Sequence, residues 1–228
     1  MFTCSQPDVP STAMPQYEVT VDGLGSGDCS YPGVGIRSFT TPPFPRGFDY
    51  SGGAWNTLVG KPGAYLLYND GAGVRIDAQI VAAAGNPKAL FIQAVTLTRG
   101  AVRTTTTLSK VGTQWQTTVL AMGKKVLPNP PAVIGGNITV RALLKNGKTG
   151  GVFITLPYLS LRCEQMWPTK PQHAGFPNWF DCYFTVLQPL PQPTGGLLGS
   201  TYRPPPVGAA AVAAKQPAAS AAFVFEEN

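Results

Sequence analysis

The sequence predicts an all-β protein folded as an antiparallel β-sandwich, and three observations support this prediction. Residues 74–80 read "VRIDAQI", in which every second residue is apolar, the period of a half-buried strand. Four consecutive threonines at 104–107 favour a strand, because β-branched side chains fit a pleated sheet and crowd a helix. The 26 glycines and 23 prolines supply frequent turns. We expect a jelly-roll-like sandwich, with an Ig-like sandwich as the alternative.

The strands can be placed along the chain one after another. Short candidates at 17–22 and 35–40 precede two runs that flank the turn signal Asn69-Asp70-Gly71. Further strands are predicted at 89–98, 102–109 and 113–121. Prolines at 128, 130 and 131 cannot donate to a ladder and predict an irregular crossing.

The strongest local signal is a hairpin at Asn146-Gly147, since both residues accept the positive φ of a tight turn. A last strand is predicted from residue 179, and its two faces differ in character. The face assigned to the core consists of Phe180, Cys182, Phe184 and Val186.

Composition divides the chain into three parts. Residues 1–60 are rich in turn signals and predict an N-terminal arm or a long-looped edge, and residues 61–188 predict the sandwich core. Residues 189–228 are rich in proline, glycine and alanine and predict an extended tail that cannot fold alone. Phe223 and Phe225 near its end are apolar enough to dock on a surface.

Four cysteines, Cys4, Cys29, Cys163 and Cys182, can form disulfides in three pairings, of which neighbour pairing is the simplest. Closing the loop between Cys163 and Cys182 would contribute on the order of 3 kcal/mol. In a reducing cytosol the same residues would more often be buried thiols, so both states remain open.

The loop between Cys163 and Cys182 contains His173, the only histidine of the chain, and invites two chemical hypotheses. A zinc site is not expected, because the soft ligands lie too far apart for the short spacings of structural zinc sites. A Cys-His nucleophile is not expected either, because glycine and proline around His173 do not hold an imidazole in place. We expect no catalytic residue, no metal ligand and no cofactor.

The same loop carries large apolar side chains and predicts a contact surface made of Met166, Trp167, Phe176 and Trp179. The alternative is that Trp167 and Trp179 fold back over the end of the sandwich as a lid.

The net charge of +6 would suit an anionic partner, but the 17 lysines and arginines are scattered and form no basic arm. Direct nucleic-acid binding is therefore not expected. The N-terminal residues lack the pattern of a secretory signal, and no stretch has the ~20 apolar residues of a membrane span. If Met1 is the natural start of the chain, we expect synthesis in the cytosol without export by the secretory route.

These observations predict a non-enzymatic structural subunit of a large assembly, of the viral or phage capsid class (minor capsid or cement type). Its expected partners are copies of itself or other structural proteins, joined by exchange of arm and tail. The alternative is an extracellular carbohydrate-binding or adhesive module that uses Trp167 and Trp179, with Trp55 or Trp115, as stacking platforms.

Overall fold

The computed structural model describes residues 17–22, 34–40, 56–84, 86–135, 137–168, 175–187, 190 and 194–201. For 17–22, 34–40, 56–59, 88 and 199–201 it describes the backbone alone. The strands are β1 (Tyr17–Asp22), β2 (Val34–Thr40), β3 (Asn56–Val59), β4 (Gly63–Asn69), β5 (Val74–Ala83), β6 (Asn86–Arg99), β7 (Val102–Val111), β8 (Gln114–Ala121), β9 (Lys124–Lys125), β10 (Ala132–Ile134), β11 (Ile138–Lys145), β12 (Lys148–Thr155), β13 (Leu159–Met166) and β14 (Trp179–Val186), followed by one helix, α1 (Gly196–Thr201).

The described residues form two antiparallel sheets, which confirms the predicted sandwich. The large sheet has the strand order β10-β11-β12-β13-β14-β1-β2-β3, and the small sheet has the order β4-β5-β6-β7-β8-β9. Strand β12 packs across β8, and β14 packs across β6. The β10–β12 end of the large sheet therefore lies over the β8–β9 end of the small one.

Alternating side chains of both sheets build one main core. In β5 the apolar residues at 74, 76, 78 and 80 are buried, while Arg75 and Gln79 between them are exposed. In β14 the predicted set Phe180, Cys182, Phe184 and Val186 is buried, as expected from its period of two. The hairpin between β11 and β12 is also confirmed, with φ of 53° at Asn146 and 71° at Gly147.

The segment predicted as an N-terminal arm contributes β1, β2 and β3 to the large sheet. Strand β1 lies between β14 and β2, and β3 is at the edge. The described parts of residues 1–60 therefore form one end of the large sheet, and the rest of the predicted arm lies outside the described residues.

The segment predicted as an extended tail begins with residues that belong to the core. Leu190 and Leu198 are buried there. Gly196 begins α1 at a φ of +80°, so close to β4 that a Cβ would lie 2.8 Å from the Leu67 carbonyl. The backbone of Gly195 exchanges two hydrogen bonds with Asn69. The domain therefore extends at least to α1, because both leucines belong to the main core and α1 packs on β4.

The threonine run places two hydroxyl groups inside the sandwich. Thr104 and Thr106 are each 1% exposed, and their Oγ1 atoms have no hydrogen-bond partner among the described residues. Leaving a buried hydroxyl unpaired costs about 1–3 kcal/mol. We therefore expect Thr104→Val and Thr106→Val each to raise the free energy of unfolding, by about 1 kcal/mol.

Urea denaturation measures this effect. Thr105→Val and Thr107→Val, at less buried positions of the same strand, are the matched controls and should change stability by less than about 0.5 kcal/mol. A loss of stability in Thr104→Val or Thr106→Val would show that the hydroxyl has a partner.

No helix in the described part of the chain is long and apolar enough to cross a membrane.

Candidate functional site

The loop after β13 is closed at its base by a disulfide. Cys163 and Cys182 are directly opposite each other on β13 and β14, with their Cα atoms 4.1 Å apart, and their sulfur atoms are bonded. Both residues are fully buried in the main core. The bond leaves neither sulfur as a thiolate, so neither can act as a metal ligand or a nucleophile in this state.

A second apolar cluster, here called the loop cluster, holds the end of the loop against the small sheet. Its buried members are Ala83, Phe91 and Trp179, and Met166 and Phe176 pack against them. The Phe91 ring lies 5.3 Å from that of Phe176 and 5.7 Å from that of Trp179, centroid to centroid. Gln93 Nε2 also donates to the carbonyl of Asn178.

Trp179, which the sequence predicts as exposed contact surface, is instead only 7% exposed. Its indole folds back on Phe91, as the lid alternative expected, and its Nε1 donates to Asp181 Oδ1 at 3.0 Å. Met166 and Phe176 are half-buried in the same cluster. Three of the four residues predicted to form a contact surface therefore pack inside the protein instead.

Trp167 is the described member of that set that stays exposed, with 41% of its surface accessible. Lys145 Nζ lies 4.1 Å from the centroid of its ring and donates a hydrogen bond of 3.1 Å to the Gln165 carbonyl. A cation over one ring face holds the indole in place while the rest of the ring remains accessible.

The outer face of the large sheet carries alternating cations and rings in one row across four strands. The register places Arg141 opposite Phe153, Phe153 opposite Arg162, and Arg162 opposite Tyr183. Arg141 Cζ lies 5.7 Å from the Phe153 centroid, and Arg162 Cζ lies 4.7 Å from that of Tyr183. Each exposed contact of this type contributes about 0.5–1 kcal/mol, so the row stiffens this face.

A buried carboxylate joins the two sheets at one end of the sandwich. Asp70, in the turn between β4 and β5, is 4% exposed. Its Oδ1 accepts hydrogen bonds from the backbone N–H groups of Ala72 and Val74, and its Oδ2 accepts one of 2.6 Å from the Tyr158 hydroxyl. Tyr158 lies between β12 and β13 of the other sheet. These bonds hold the β4–β5 turn against the connection between β12 and β13.

Burial, together with the hydrogen bond to Asp70 and the negative charge of Asp70, raises the pKa of Tyr158 from 10.0 to about 12. Between these two values the unfolded chain loses the Tyr158 proton while the folded chain keeps it. We therefore expect this tyrosine to add no pH dependence well below pH 10, and to lower the free energy of unfolding as the pH rises from about 10 to about 12.

Urea denaturation from pH 8 to pH 12 tests this expectation. Tyr158→Phe should lack this part of the alkaline loss, whereas Tyr65→Phe, which removes a hydroxyl bonded to the Lys61 carbonyl, should keep it. An unchanged alkaline loss in Tyr158→Phe would contradict the assignment.

Sequence reasoning missed three exposed apolar side chains spread along the β10 edge of the large sheet, here called the edge patch. Its members, Leu127, Val133 and Leu144, are 55%, 74% and 58% exposed. Val133 is in the edge strand and Leu144 in its neighbour β11, while the Leu127 carbonyl accepts a hydrogen bond from Ala142 of β11. The prolines before β10 were a signal of an edge, but nothing in the sequence showed which leucines and valines lie on it.

Several predicted residues lie outside the described part of the chain: Cys4, Cys29, Trp55, His173, Phe223 and Phe225. The fourth tryptophan, Trp115, is partly buried against the main core. Among the described residues, no three His, Cys, Asp or Glu side chains are grouped so that they could hold a metal ion.

Comparison with protein-family models gave no match, and no curated protein matches the chain.

Proposed function

We propose that this protein is a non-enzymatic structural subunit of a large assembly, of the viral or phage minor capsid or cement type. Its partners are copies of itself or other structural proteins, and arm and tail exchange joins them. The observation that carries the proposal is the edge patch.

Three apolar side chains, each more than half exposed, lie beside the edge of an open sheet. Exposed apolar side chains of this kind offer a contact surface for another chain, although the short strand β10 and the prolines before it disfavour pairing through the backbone. At the other end of the sandwich, the edge of the small sheet is covered by the backbone bonds of Gly195 and by α1. The contrast between the two edges supports a contact role for the β10 edge.

The polar groups in the described part of the chain support a structural role rather than a catalytic one. The two loop cysteines are bonded to each other, and the buried carboxylate of Asp70 accepts three hydrogen bonds. Both features fix strands and turns of the two sheets relative to one another.

The tail component of the proposal is tested by a truncation that spares the core. Removing residues from 190 onward would take Leu190 and Leu198 out of the core, so that experiment would mix folding with assembly. Removing residues 202–228 keeps both leucines and α1. We expect this shorter chain to keep its far-UV circular dichroism and to assemble more weakly.

The edge component is tested by Val133→Lys with Leu144→Lys, measured by sedimentation velocity over a range of concentrations. Two charges on the edge patch should reduce the assembled fraction at least tenfold, because each buried lysine charge opposes contact. Leu187→Lys, at an exposed leucine after β14, is the matched control and should assemble normally. A full-length chain that remains a 24.0 kDa monomer at every concentration would overturn the proposal.

Trp167 is the specific observation in favour of the second candidate, a carbohydrate-binding or adhesive module. Its exposed ring, with Lys145 near one face, can stack on a sugar. Glycan-array binding that is lost in Trp167→Ala would favour this candidate. Trp179→Ala is not a suitable test, since it would remove a core side chain.

A further inference from the structure

We propose that the side of the sandwich built from β7 to β12 binds single-stranded nucleic acid. This inference does not depend on the proposed assembly. It rests on the distribution of acidic and basic residues along the chain and on the way in which the fold brings the basic ones together.

Residues 78–163 contain no aspartate and no glutamate. The same stretch contains ten lysines and arginines: Lys88, Arg99, Arg103, Lys110, Lys124, Lys125, Arg141, Lys145, Lys148 and Arg162. The expectation against nucleic-acid binding rested on the scatter of cations along the chain. Scatter along a chain does not prevent clustering in space.

The fold brings the acid-free stretch together on one side. Strands β7, β8 and β9 form one end of the small sheet, strands β10, β11 and β12 form one end of the large sheet, and β12 packs across β8. The nearest acid along the large sheet is Glu164 of β13, which is already paired with Arg162 at 3.5 Å. We call the β7–β12 side the basic side.

The cations of the basic side are available to a ligand. Arg103, Lys110, Lys124, Lys125, Arg141 and Lys148 are all exposed. The ion pairs Arg75–Asp77 and Arg162–Glu164 involve none of these six side chains, and no carboxylate of the described residues is paired with them.

The turns at one end of the basic side combine cations with a stacking surface. Lys148 Nζ, beside the β11–β12 turn, lies 3.4 Å from Gln114 Oε1, beside the β7–β8 turn, so the two turns meet. Lys110 is one position from Val111, the register partner of Gln114. Lys145 Nζ lies 4.1 Å from the exposed ring of Trp167. Lysines that bind phosphate around a ring that stacks on a base are the usual elements of a single-strand site.

Cations at both ends of β8 favour an extended polyanion over a single acidic side chain. Lys110 lies on β7 beside the start of β8, whereas Lys124 pairs with Ala121 at its end. The eight residues of β8 span about 25 Å at ~3.3 Å each, the length of about seven stacked nucleotides. An acidic protein surface would satisfy the lysines but would make no use of the exposed indole.

Fluorescence anisotropy of the full-length protein with labelled 20-nucleotide oligothymidine and oligouridine tests the proposal at several NaCl concentrations. We expect binding of at least one of them that weakens with salt. The double variant Lys110→Gln/Lys148→Gln should bind about tenfold more weakly, with a log–log salt slope smaller by about 1.4, since each lost contact removes about 0.7. Trp167→Ala should lose about tenfold in affinity with an unchanged salt slope.

The matched control is Lys61→Gln/Arg75→Gln, which removes two exposed cations from β4–β5 and its preceding turn, and should bind as the parent does. No binding at 50 mM NaCl would overturn the proposal, as would equal competition by polyglutamate combined with normal binding by Trp167→Ala. Self-association that is salt-dependent and weakened in Lys110→Gln/Lys148→Gln, without oligonucleotide binding, would assign the basic side to an acidic protein surface instead.

Discussion

Gly151→Ala should lower the free energy of unfolding by about 3 kcal/mol or more. Gly151 lies in β12 directly opposite Glu164 of β13, and it is buried. A Cβ there would overlap the carbonyl oxygen of Cys163 and lie 3.2 Å from the Glu164 Cα. These atoms are backbone, so relief requires the two strands to separate rather than a side chain to rotate.

Equilibrium urea denaturation measures this loss, with Gly175→Ala as the matched control. A Cβ at Gly175 would have no heavy atom within 4 Å, so the free energy of unfolding of this variant should equal that of the parent within about 0.5 kcal/mol. If the Gly151 variant fails to fold, Gly151→Ser expressed at low temperature should fail in the same way. A Gly151→Ala protein of parental stability would show that β12 and β13 are not so close.

The double variant Cys163→Ala/Cys182→Ala should lose about 3 kcal/mol of unfolding free energy. The cystine closes a sequence separation of 19 residues, and its removal gives the unfolded chain more conformations. Both sulfur atoms also fill space in the main core, so the variant combines the loss of a cross-link with the loss of packing.

Cys4→Ala/Cys29→Ala protein unfolded with and without a reductant separates these two contributions, because in this background the reductant removes only the Cys163–Cys182 bond and both side chains remain. The reduced protein should show most of the loss, and the double variant should lie slightly below it. Identical denaturation midpoints for the oxidised and reduced forms of this protein would contradict the stabilising role of the bond.

Local patterns predicted individual strands well. The alternation of 74–80 placed four apolar side chains in the core, and the same argument placed Phe180 and Phe184 there. Asn146-Gly147 located a turn to the residue, since few residue pairs tolerate positive φ at both positions. These predictions succeeded because each depends on neighbours within a few residues along the chain.

Features that depend on residues far apart along the chain could not be predicted from local sequence patterns. Composition assigned Leu190 and Leu198 to a tail, but both are buried in the main core, and the helix that carries Leu198 packs on β4, about 130 residues earlier in the chain. Trp179 was assigned to the surface, but it is buried against Phe91 and Ala83 of the other sheet. Its position along the chain does not show that these two residues lie next to it. The basic side is a similar case, because charge clustering depends on strand order, and no local pattern specifies that β12 crosses β8.

The attachment of α1 to β4 couples events beyond residue 201 to the stability of the whole domain. Leu198 belongs to the main core, and Gly195 is bonded to the strand that begins the small sheet. Mechanical tension applied past α1 would act directly on a helix that places Leu198 in the main core. A neighbouring subunit that binds this end would therefore change the stability of the domain directly. In the proposed assembly, strain at this contact would destabilise the domain, and release of the strain would restore its stability.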